Sequence, residues 1–368
     1  MARPRLLALL FAVTALVGCQ STVPATSTTQ APIGQSSSPT AGSTAAGPAS
    51  APILVQIGVT GSVADAPLYI AQERGYFRDV GVTTELVQLD SGARMVPALS
   101  TGQLQVGGGA PSLGLFRSIQ RELPLVIVAD RVQSRPGYPA TTMVVRTDVA
   151  DQLRTFADLR GRRIAVTAAG STPYVDAVKA LALGGLRRED AELVELGFPD
   201  MPAALAGGSV EVATVAEPFR TVAVQQHFGV AWKDSEDYNP GEQASVLLFS
   251  PQFARDTPAL ANRFMIAYLR GVRDFYRAFI ERDATTRHEV LQILTRTTSL
   301  KDPSVWEALV PSWIDPNGRV NQQSIDELID FFVGDGSLPS RQGLDEIVDH
   351  RFVDYAVAQL GPYTPGGR

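Results

Sequence analysis

The sequence predicts an α/β protein of two parallel-sheet lobes, joined by a two-strand hinge and followed by a C-terminal helical tail. Three observations lead to this prediction. Short apolar runs rich in valine and isoleucine alternate with helical segments, and the alternation occurs in two successive blocks. An extended segment flanks the second block on each side. From Pro251 onward, the hydrophobic pattern is helical.

The first block begins with a strand-like apolar run that is bounded by Gly61. Asp65 and Pro67 then mark the start of a helix, because short acidic residues favour the N-cap and proline favours the first turn. The elements predicted in this block are strand Ile53–Val59, helix Ala66–Arg78, strand Thr83–Leu89, a helix from Ser91 to Thr101, strand Leu104–Gly107, a helix from Pro111, and strand Leu125–Ala129. Such alternation predicts a parallel sheet with helices on both faces.

The second block repeats the pattern and is flanked by Thr141–Arg146 and Ser245–Phe249, which we predict to cross between the lobes. The elements predicted in this block and the tail are strand Arg163–Thr167, helix Pro173–Leu183, strand Ala191–Leu196, helix Met201–Ala206, strand Val210–Val215, helix Pro218–Gln226, and tail helices Pro258–Glu281, Thr286–Arg296, Ser304–Leu309, Gln322–Phe332 and Asp349–Gln359. We therefore expect lobe 1 at residues 53–145, lobe 2 at 146–244, and a return to lobe 1 with a helical tail at 245–368.

Composition excludes several classes of protein. The 368 residues have a net charge of −6 and no basic cluster, so nothing indicates nucleic-acid binding. A hydrophobic content of 45% supports a real core and excludes a disordered or fibrous chain. The single cysteine excludes an intrachain disulfide and argues against a thiolate metal cluster.

The N-terminus has the pattern of a secretory signal. Arg3 and Arg5 precede the apolar stretch Leu6–Val17, which is too short to span a membrane. This stretch ends in Leu-Val-Gly-Cys at Cys19, which resembles a bacterial lipobox. The resemblance implies that residues 1–18 are a lipoprotein signal peptide and that Cys19 carries a lipid. We expect the mature protein to be extracytoplasmic, anchored by this lipid to the outer face of the cell membrane or on its periplasmic side.

A flexible tether is predicted between the lipid and the folded part. Residues 20–52 contain no charged residue and consist almost entirely of Ser, Thr, Ala, Pro and Gly. Such a composition does not bury enough apolar surface to repay the entropy of folding. We therefore interpret residues 19–52 as the lipidated cysteine and a linker with an end-to-end span of about 30 Å.

Five segments in chain order together resemble the motifs of one known protein family. The segments are APLYIAQERGYF at 66–77, DSG at 90–92, ALSTGQLQVG at 98–107, DLRGRRIAV at 158–166, and AALAGGSVEVA at 203–213 with Glu217-Pro218. Together they resemble the SsuA/THI5-like (NMT1/TauA-type) substrate-binding proteins of ABC transporters. Gln105 stands where the family usually has an aspartate, so a role carried by that acid would be missing. The similarity covers about residues 53–250.

The resemblance implies a type II periplasmic-binding-protein-like fold that captures a small-molecule ligand between its lobes. It implies an ABC permease and its ATPase as partners and no enzymatic activity. From the lipid on Cys19 and the charge of the chain, we also expect contact with the membrane and no binding of nucleic acid. We expect no cofactor. A ligand-sensing receptor module for a membrane kinase needs the same two lobes and stays an alternative. A THI5-like pyrimidine synthase is a further alternative, although His227, His288 and His350 are too dispersed for a histidine-rich metal site.

The residues that line the cleft are predicted from strand ends. Ligands in open α/β sheets lie at the carboxyl ends of strands, where helix N-termini offer free N–H donors. The predicted ligand-binding residues are Asp65, Ala66, Ser91, Gly92, Gly109, Ser112, Ser171, Thr172, Tyr174 and Glu217. Helix capping is the alternative role for Asp65, Ser91 and Thr172, and core packing is the alternative for Tyr174.

The expected charge of the ligand depends on two of these residues. If Asp65 and Glu217 both face the ligand, they disfavour a small anion. We therefore expect an amine-bearing or heteroaromatic nutrient, such as a pyrimidine vitamin precursor. A sulfonate or nitrate stays possible, because helix N-termini alone can bind an anion.

Overall fold

The computed structural model describes residues 53–366, apart from residues 122, 124 and 345 and the side chain of Ala93. The predicted signal peptide, the lipidated Cys19 and the linker lie outside the described residues. Among the residues that are described, no helix is both long enough and apolar enough to cross a membrane.

The first lobe is built on a five-stranded sheet with the strand order β2-β1-β3-β10-β4, in which β10 (Gln243–Phe249) returns from the second lobe. Its elements before the first crossing are β1 (Ile53–Val59), α1 (Ala66–Glu73), α2 (Tyr76–Asp79), β2 (Val82–Gln88), α3 (Gly92–Ser100), β3 (Val106–Gly109), α4 (Leu113–Gln120) and β4 (Val126–Gln133). The predicted helix Ala66–Arg78 is two helices, because Gly75 adopts φ +76° between them, which ends α1.

The second lobe contains the other sheet, in the order β7-β6-β8-β5-β9. Its elements are β5 (Thr142–Arg146), β6 (Arg163–Val166), α5 (Thr172–Leu183), β7 (Glu192–Glu195), α6 (Met201–Ala206), β8 (Val212–Val215), α7 (Phe219–Gln225), β9 (Gly229–Asp234) and α8 (Ser235–Tyr238). The predicted α/β fold with two lobes is confirmed.

Both sheets are mixed rather than parallel. In the first sheet, β10 (Gln243–Phe249) runs antiparallel to β3 and β4, and in the second sheet β5 runs antiparallel to β8 and β9. In each sheet, the reversed strand is the one that arrives directly from the other lobe. The chain enters that sheet from the cleft side, so this strand points away from the cleft while its neighbours point towards it.

The crossings lie a few residues earlier than the sequence predicts. Strand β5 lies wholly within the second sheet. The lobe boundary predicted after residue 145 therefore falls near the end of a lobe 2 strand and not between the lobes. The chain crosses at residues 134–141, and again at residues 235–242 before β10. We call these two stretches the hinge segments; neither Arg146 nor Ser245, where the hinge was predicted, lies in them.

The tail returns to the first lobe. It comprises α9 (Pro251–Asp256), α10 (Pro258–Phe279), α11 (Ala284–Thr297), α12 (Pro303–Ala308), α13 (Gln322–Gly334) and α14 (Arg351–Leu360). The 22-residue α10 packs against α1, α11 and α14 and buries Phe264, Tyr268 and Val272 in the main core of this lobe. The irregular stretch between α12 and α13 runs along the hinge side, where the amide of Asp315 donates to Asp130 on β4 at 2.6 Å.

Candidate ligand-binding site

A cavity lies between the lobes and draws its lining from both of them, from the first hinge segment and from the tail. The space open to the centre of a water-sized sphere is about 60 Å³, whereas one water needs roughly 10–15 Å³ by the same measure. The hydroxyl residues of the lining are Thr60, Ser62, Ser91, Thr141, Thr167, Thr172, Ser245 and Ser312. The cavity therefore has room for a small organic molecule.

The rest of the lining is mostly apolar. These residues are Val63, Ala64, Val132, Ala140, Pro173, Phe198, Ala216 and Ala244, with Gly92, Gly109 and Ala110 as small residues. The charged residue of the lining is Asp90, whose side chain is 78% exposed and lies 3.6 Å from the guanidinium of Arg94. No lysine or arginine is part of the described lining. A ligand would therefore meet hydroxyls, backbone and apolar carbon rather than a buried cation.

Helix N-termini from both lobes meet the cavity. Helix α3 begins at Gly92 and α5 begins at Thr172, and both residues line the cavity, so the partial positive charge of each helix N-terminus lies at the lining. In α5, Pro173 has no N–H and the amide of Tyr174 donates to Ser171 Oγ, so fewer free donors remain there than at a proline-free helix start. Gly92 packs directly on Gly109, and a Cβ at Gly92 would lie 2.5 Å from the Gly109 Cα. Glycine at both positions lets the backbone of α3 approach β3 this closely.

The cleft is closed in this structure. Two backbone hydrogen bonds join the lobes directly: the amide of Val63 donates to Glu217 O at 2.9 Å, and the amide of Leu113 donates to Gly170 O at 2.9 Å. Gly170 has φ +72°, and a Cβ there would lie 2.6 Å from the Leu113 Cβ. A glycine is therefore required at this contact for two separate reasons.

Asp65 does not reach the cavity with its carboxylate. It is fully buried and accepts hydrogen bonds from the amides of Thr60 at 2.9 Å and Gly61 at 2.8 Å. Its other oxygen forms an ion pair with the fully buried guanidinium of Arg131. The predicted N-cap hydrogen bond is absent. Asp65 is therefore a structural anchor of the β1–α1 loop, and its charge is neutralised within the protein.

Arg131 connects this ion pair to the cavity wall. Its Nη1 donates to the hydroxyl of Ser245, a lining residue, at 3.2 Å. The guanidinium lies against Gly108, where a Cβ would be 1.9 Å from Nη1. The absence of a side chain at Gly108 thus makes room for a buried arginine directly behind the lining.

Glu217 is also engaged within the protein. Its carboxylate accepts hydrogen bonds from the hydroxyl of Thr221 at 2.9 Å and from the amides of Thr221 at 3.1 Å and Val310 at 3.0 Å. Burial raises the pKa of Glu217, and these hydrogen bonds oppose the rise. This residue joins the start of α7 to the tail and is not part of the cavity lining.

The remaining predicted site residues divide into two groups. Ser91, Gly92, Gly109 and Thr172 line the cavity. The others form no part of its described lining: Ser112 and Ser171 cap α4 and α5, accepting from the amides of Leu115 and Tyr174, Ala66 is buried at the start of α1, and Tyr174 packs against the cores of both lobes.

Sequence analysis missed the lining residues of the hinge and tail. Thr141 lies at the end of the first hinge segment, Ala244 and Ser245 follow the second, and Ser312 comes from the tail. The two extended segments predicted to cross between the lobes were a signal for Thr141 and Ser245, because a crossing strand must pass along the cleft. No sequence pattern indicates that the tail reaches back to this cavity.

Two further features bear on chemistry at this site. None of the three histidines is part of the cavity lining. Among the residues that the structure describes, no three His, Cys, Asp or Glu side chains lie close enough together to hold a metal ion.

Two mixed sheets, a double crossing and a cavity between the lobes define the bilobal binding-protein fold. A family model described as NMT1/THI5 like matches residues 63–278, which is more than half of the chain. The chain belongs to the NMT1/THI5-like family.

Two Escherichia coli (strain K12) proteins are among its relatives. One, described as a taurine-binding periplasmic protein, is 27% identical over 57% of this chain and 63% of its own length. The other, described as a putative aliphatic sulfonates-binding protein, is 25% identical over 60% of this chain and 63% of its own length. The match thus covers less than two thirds of either relative.

A solved structure shares the fold over a larger part of the chain. It is the alkanesulfonate-binding protein SsuA from Xanthomonas axonopodis pv. citri bound to MOPS, with a TM-score of 0.66 and 22% identity. The match covers 81% of this chain and 99% of that protein.

The buried ion pair generates a stability prediction. Replacing Arg131 by methionine leaves the Asp65 carboxylate buried without a cation, so we expect the free energy of unfolding to fall by about 3–5 kcal/mol. The double variant with Asp65→Asn should lose less than the two single losses combined, because no uncompensated charge remains. Urea unfolding measures these differences.

The matched control is Arg255→Met, since Arg255 pairs with Asp256 on the surface with side chains that are 70% and 54% exposed. We expect its loss to be about 1 kcal/mol or less. An equal loss at Arg131 and Arg255 would contradict the assigned role of the buried pair.

Proposed function

We propose that this protein is an extracytoplasmic solute-binding protein of an ABC importer that captures a small organic sulfonate between its lobes. One observation carries the proposal: a cavity shared by both lobes is lined by eight hydroxyl residues and by helix N-termini, while Asp65 and Glu217 are bound within the protein. Hydroxyls and free helix N–H groups are donors that suit an anion.

The argument for an amine-bearing or heteroaromatic ligand does not hold in this structure. That expectation required both carboxylates to face the ligand. Asp65 is neutralised by Arg131, and Glu217 accepts hydrogen bonds from Thr221 and Val310. The apolar half of the lining suits a short carbon chain better than a small inorganic anion such as nitrate. The ligands in the names of the two relatives, taurine and aliphatic sulfonates, support the same class.

The proposed mechanism is capture by closure. A ligand held between α3 of the first lobe and α5 of the second favours the closed arrangement, in which the Val63–Glu217 and Leu113–Gly170 backbone bonds form. The lobes reopen about the hinge segments. A permease and its ATPase would accept the ligand from the closed form. The lipid on Cys19 would keep the protein at the outer face of the cell membrane or on its periplasmic side.

We propose transport as the function, with ligand sensing through a membrane kinase as the alternative. Both functions need the same two lobes that close on a ligand. We propose a binding protein rather than an enzyme, because the two relatives are described as binding proteins. No observation favours the pyrimidine synthase activity.

A ligand panel tests the proposed class. We expect alkanesulfonates to raise the melting temperature, because a ligand at about 100 times its Kd adds about 2.7 kcal/mol of stability. Nitrate, ethylamine and thymine should have little effect. Stabilisation by an amine or a pyrimidine without any response to sulfonates would overturn the proposal.

Closure generates a separate prediction. Gly170→Ala places a Cβ against Leu113, so we expect sulfonate affinity to fall at least tenfold, as measured by calorimetry. Gly161→Ala is the matched control, because Gly161 lies in the same lobe with φ +73° but has open space around its Cβ position. The two variants share the backbone strain, and only the first obstructs closure. Equal affinities in the two variants would contradict capture by closure.

A further inference from the structure

A pair of buried carboxyls lies at the hinge. Asp176 on α5 of the second lobe is fully buried, and Glu242, the last residue of the second hinge segment, is 3% exposed. Glu242 directly precedes β10 of the first lobe, and its backbone oxygen accepts from the amide of Ser134 in the first hinge segment at 2.8 Å. The pair therefore connects the second lobe to the place where the two hinge segments meet.

The two carboxyls differ in their hydrogen bonds. Asp176 accepts from the hydroxyl of Thr141 at 2.8 Å and from the side-chain amide of Asn239 at 2.9 Å. Neither carboxyl oxygen of Glu242 has a donor among the described residues. A buried carboxylate without a donor is costly, whereas a protonated carboxyl can itself donate, and the Asp176 carboxylate is its acceptor. One proton is therefore shared by the pair, and it resides on Glu242.

Lys179 offsets the charge of one acid of the pair. It lies one turn after Asp176 on α5 and donates to Asn239 Oδ1 at 2.5 Å, so its charge favours an ionised Asp176. The contact from the tail is a neutral amide, which Asn321 donates to Gly241 O at 2.8 Å. Among the described residues, a second carboxylate charge would therefore have no cation of its own.

The other titratable groups around the pair add no positive charge to it. Glu236 and Asp234 are acidic and lie in or next to the second hinge segment. Burial raises the pKa of the Tyr238 phenol well above its ordinary value, so this group stays neutral. Arg135 of the first hinge segment donates to a side chain of β4 at 2.7 Å instead. An ionised Glu242 would thus lie in an acidic surrounding.

We propose that the carboxyl pair of Asp176 and Glu242 is a pH-sensitive element of the hinge, which favours the closed cleft while the two acids share a proton and the open cleft once that proton is lost. Rotation of the second lobe moves α5, which carries Asp176, relative to Glu242. The shared proton joins the two sides of the hinge by a hydrogen bond, whereas two ionised carboxylates repel each other and need water. This inference rests on the proposed capture by closure.

The direction of the pH-dependence follows from the closed structure. Burial, together with the charge of Asp176, raises the pKa of Glu242 well above its ordinary value of 4.5. A group whose pKa is higher in the closed form than in the open form takes up a proton on closure. Ligand affinity is therefore highest near the ordinary carboxyl pKa and falls as the pH rises through the raised pKa of Glu242.

Glu242→Gln tests the inference, because the amide keeps the shape and a donor for Asp176 but cannot ionise. Calorimetry with ethanesulfonate, whose own charge does not change in this range, gives the Kd of the parent protein divided by that of the variant. We expect this ratio to be near one at about pH 5 and at least ten at about pH 9, where buried glutamates lose their proton. Glu217 is present in both proteins, so its titration cancels. A ratio that does not change with pH would overturn the inference.

Asp130 provides the matched control. Burial raises its pKa to about 8, but its partners Gln243 on β10 and Asp315 in the tail both belong to the first lobe. Asp130→Asn should therefore keep the pH-dependence of the parent protein. Loss of the pH-dependence in Asp130→Asn together with its persistence in Glu242→Gln would assign it to the wrong acid and overturn the inference.

Hydrogen exchange without a ligand separates this inference from the proposed function. The Ser134 amide should exchange faster in the parent protein than in Glu242→Gln at about pH 9, and at a similar rate at about pH 5. Comparing the two proteins at one pH removes the intrinsic pH-dependence of exchange. If ethanesulfonate binds at no pH, the sulfonate proposal fails and the exchange result alone decides the role of the pair. Equal exchange at both pH values would overturn that role.

Discussion

The buried ion pair between Asp65 and Arg131 connects the elements that shape one side of the cavity. It joins the loop after β1 to the central residues of β4, and through Arg131 it reaches Ser245 on β10. Two charges buried together are stable only when each keeps its partner and further hydrogen bonds. Asp65 has such bonds from Thr60 and Gly61, which fixes the loop before α1 and keeps the carboxylate away from a ligand.

A second buried polar cluster gives the other side of the cavity its polarity. This cluster consists of Asp176 on α5 and of Tyr238, Asn239 and Glu242 at the second hinge segment. Asp176 accepts the hydrogen bond of Thr141, and the hydroxyl of Tyr238 contacts the same Thr141 oxygen. The two clusters are alike, because in each of them a buried charged side chain forms a hydrogen bond with a hydroxyl of the lining. Arg131 donates to Ser245, and Asp176 accepts from Thr141. Apart from the exposed Asp90, the described lining has no charged side chain, so these buried groups act on a ligand through the hydroxyls in front of them.

Most of the fold follows from local sequence, and part of the site does not. Valine-rich runs and helix-start signals such as Ser91 and Pro173 locate strands and helices, because these preferences are local. Whether the Asp65 carboxylate faces a ligand or the interior depends on Arg131, which lies 66 residues away on another strand. The contribution of Ser312 depends on how the tail returns to the hinge, which no local pattern encodes.

A crystal structure of the protein with a short alkanesulfonate tests the central claim most directly. The account predicts a closed cleft, with the sulfonate oxygens within hydrogen-bond distance of lining hydroxyls and of the backbone N–H at the start of α3. A sulfonate bound outside this cavity, or bound in it with the lobes apart, would contradict the account.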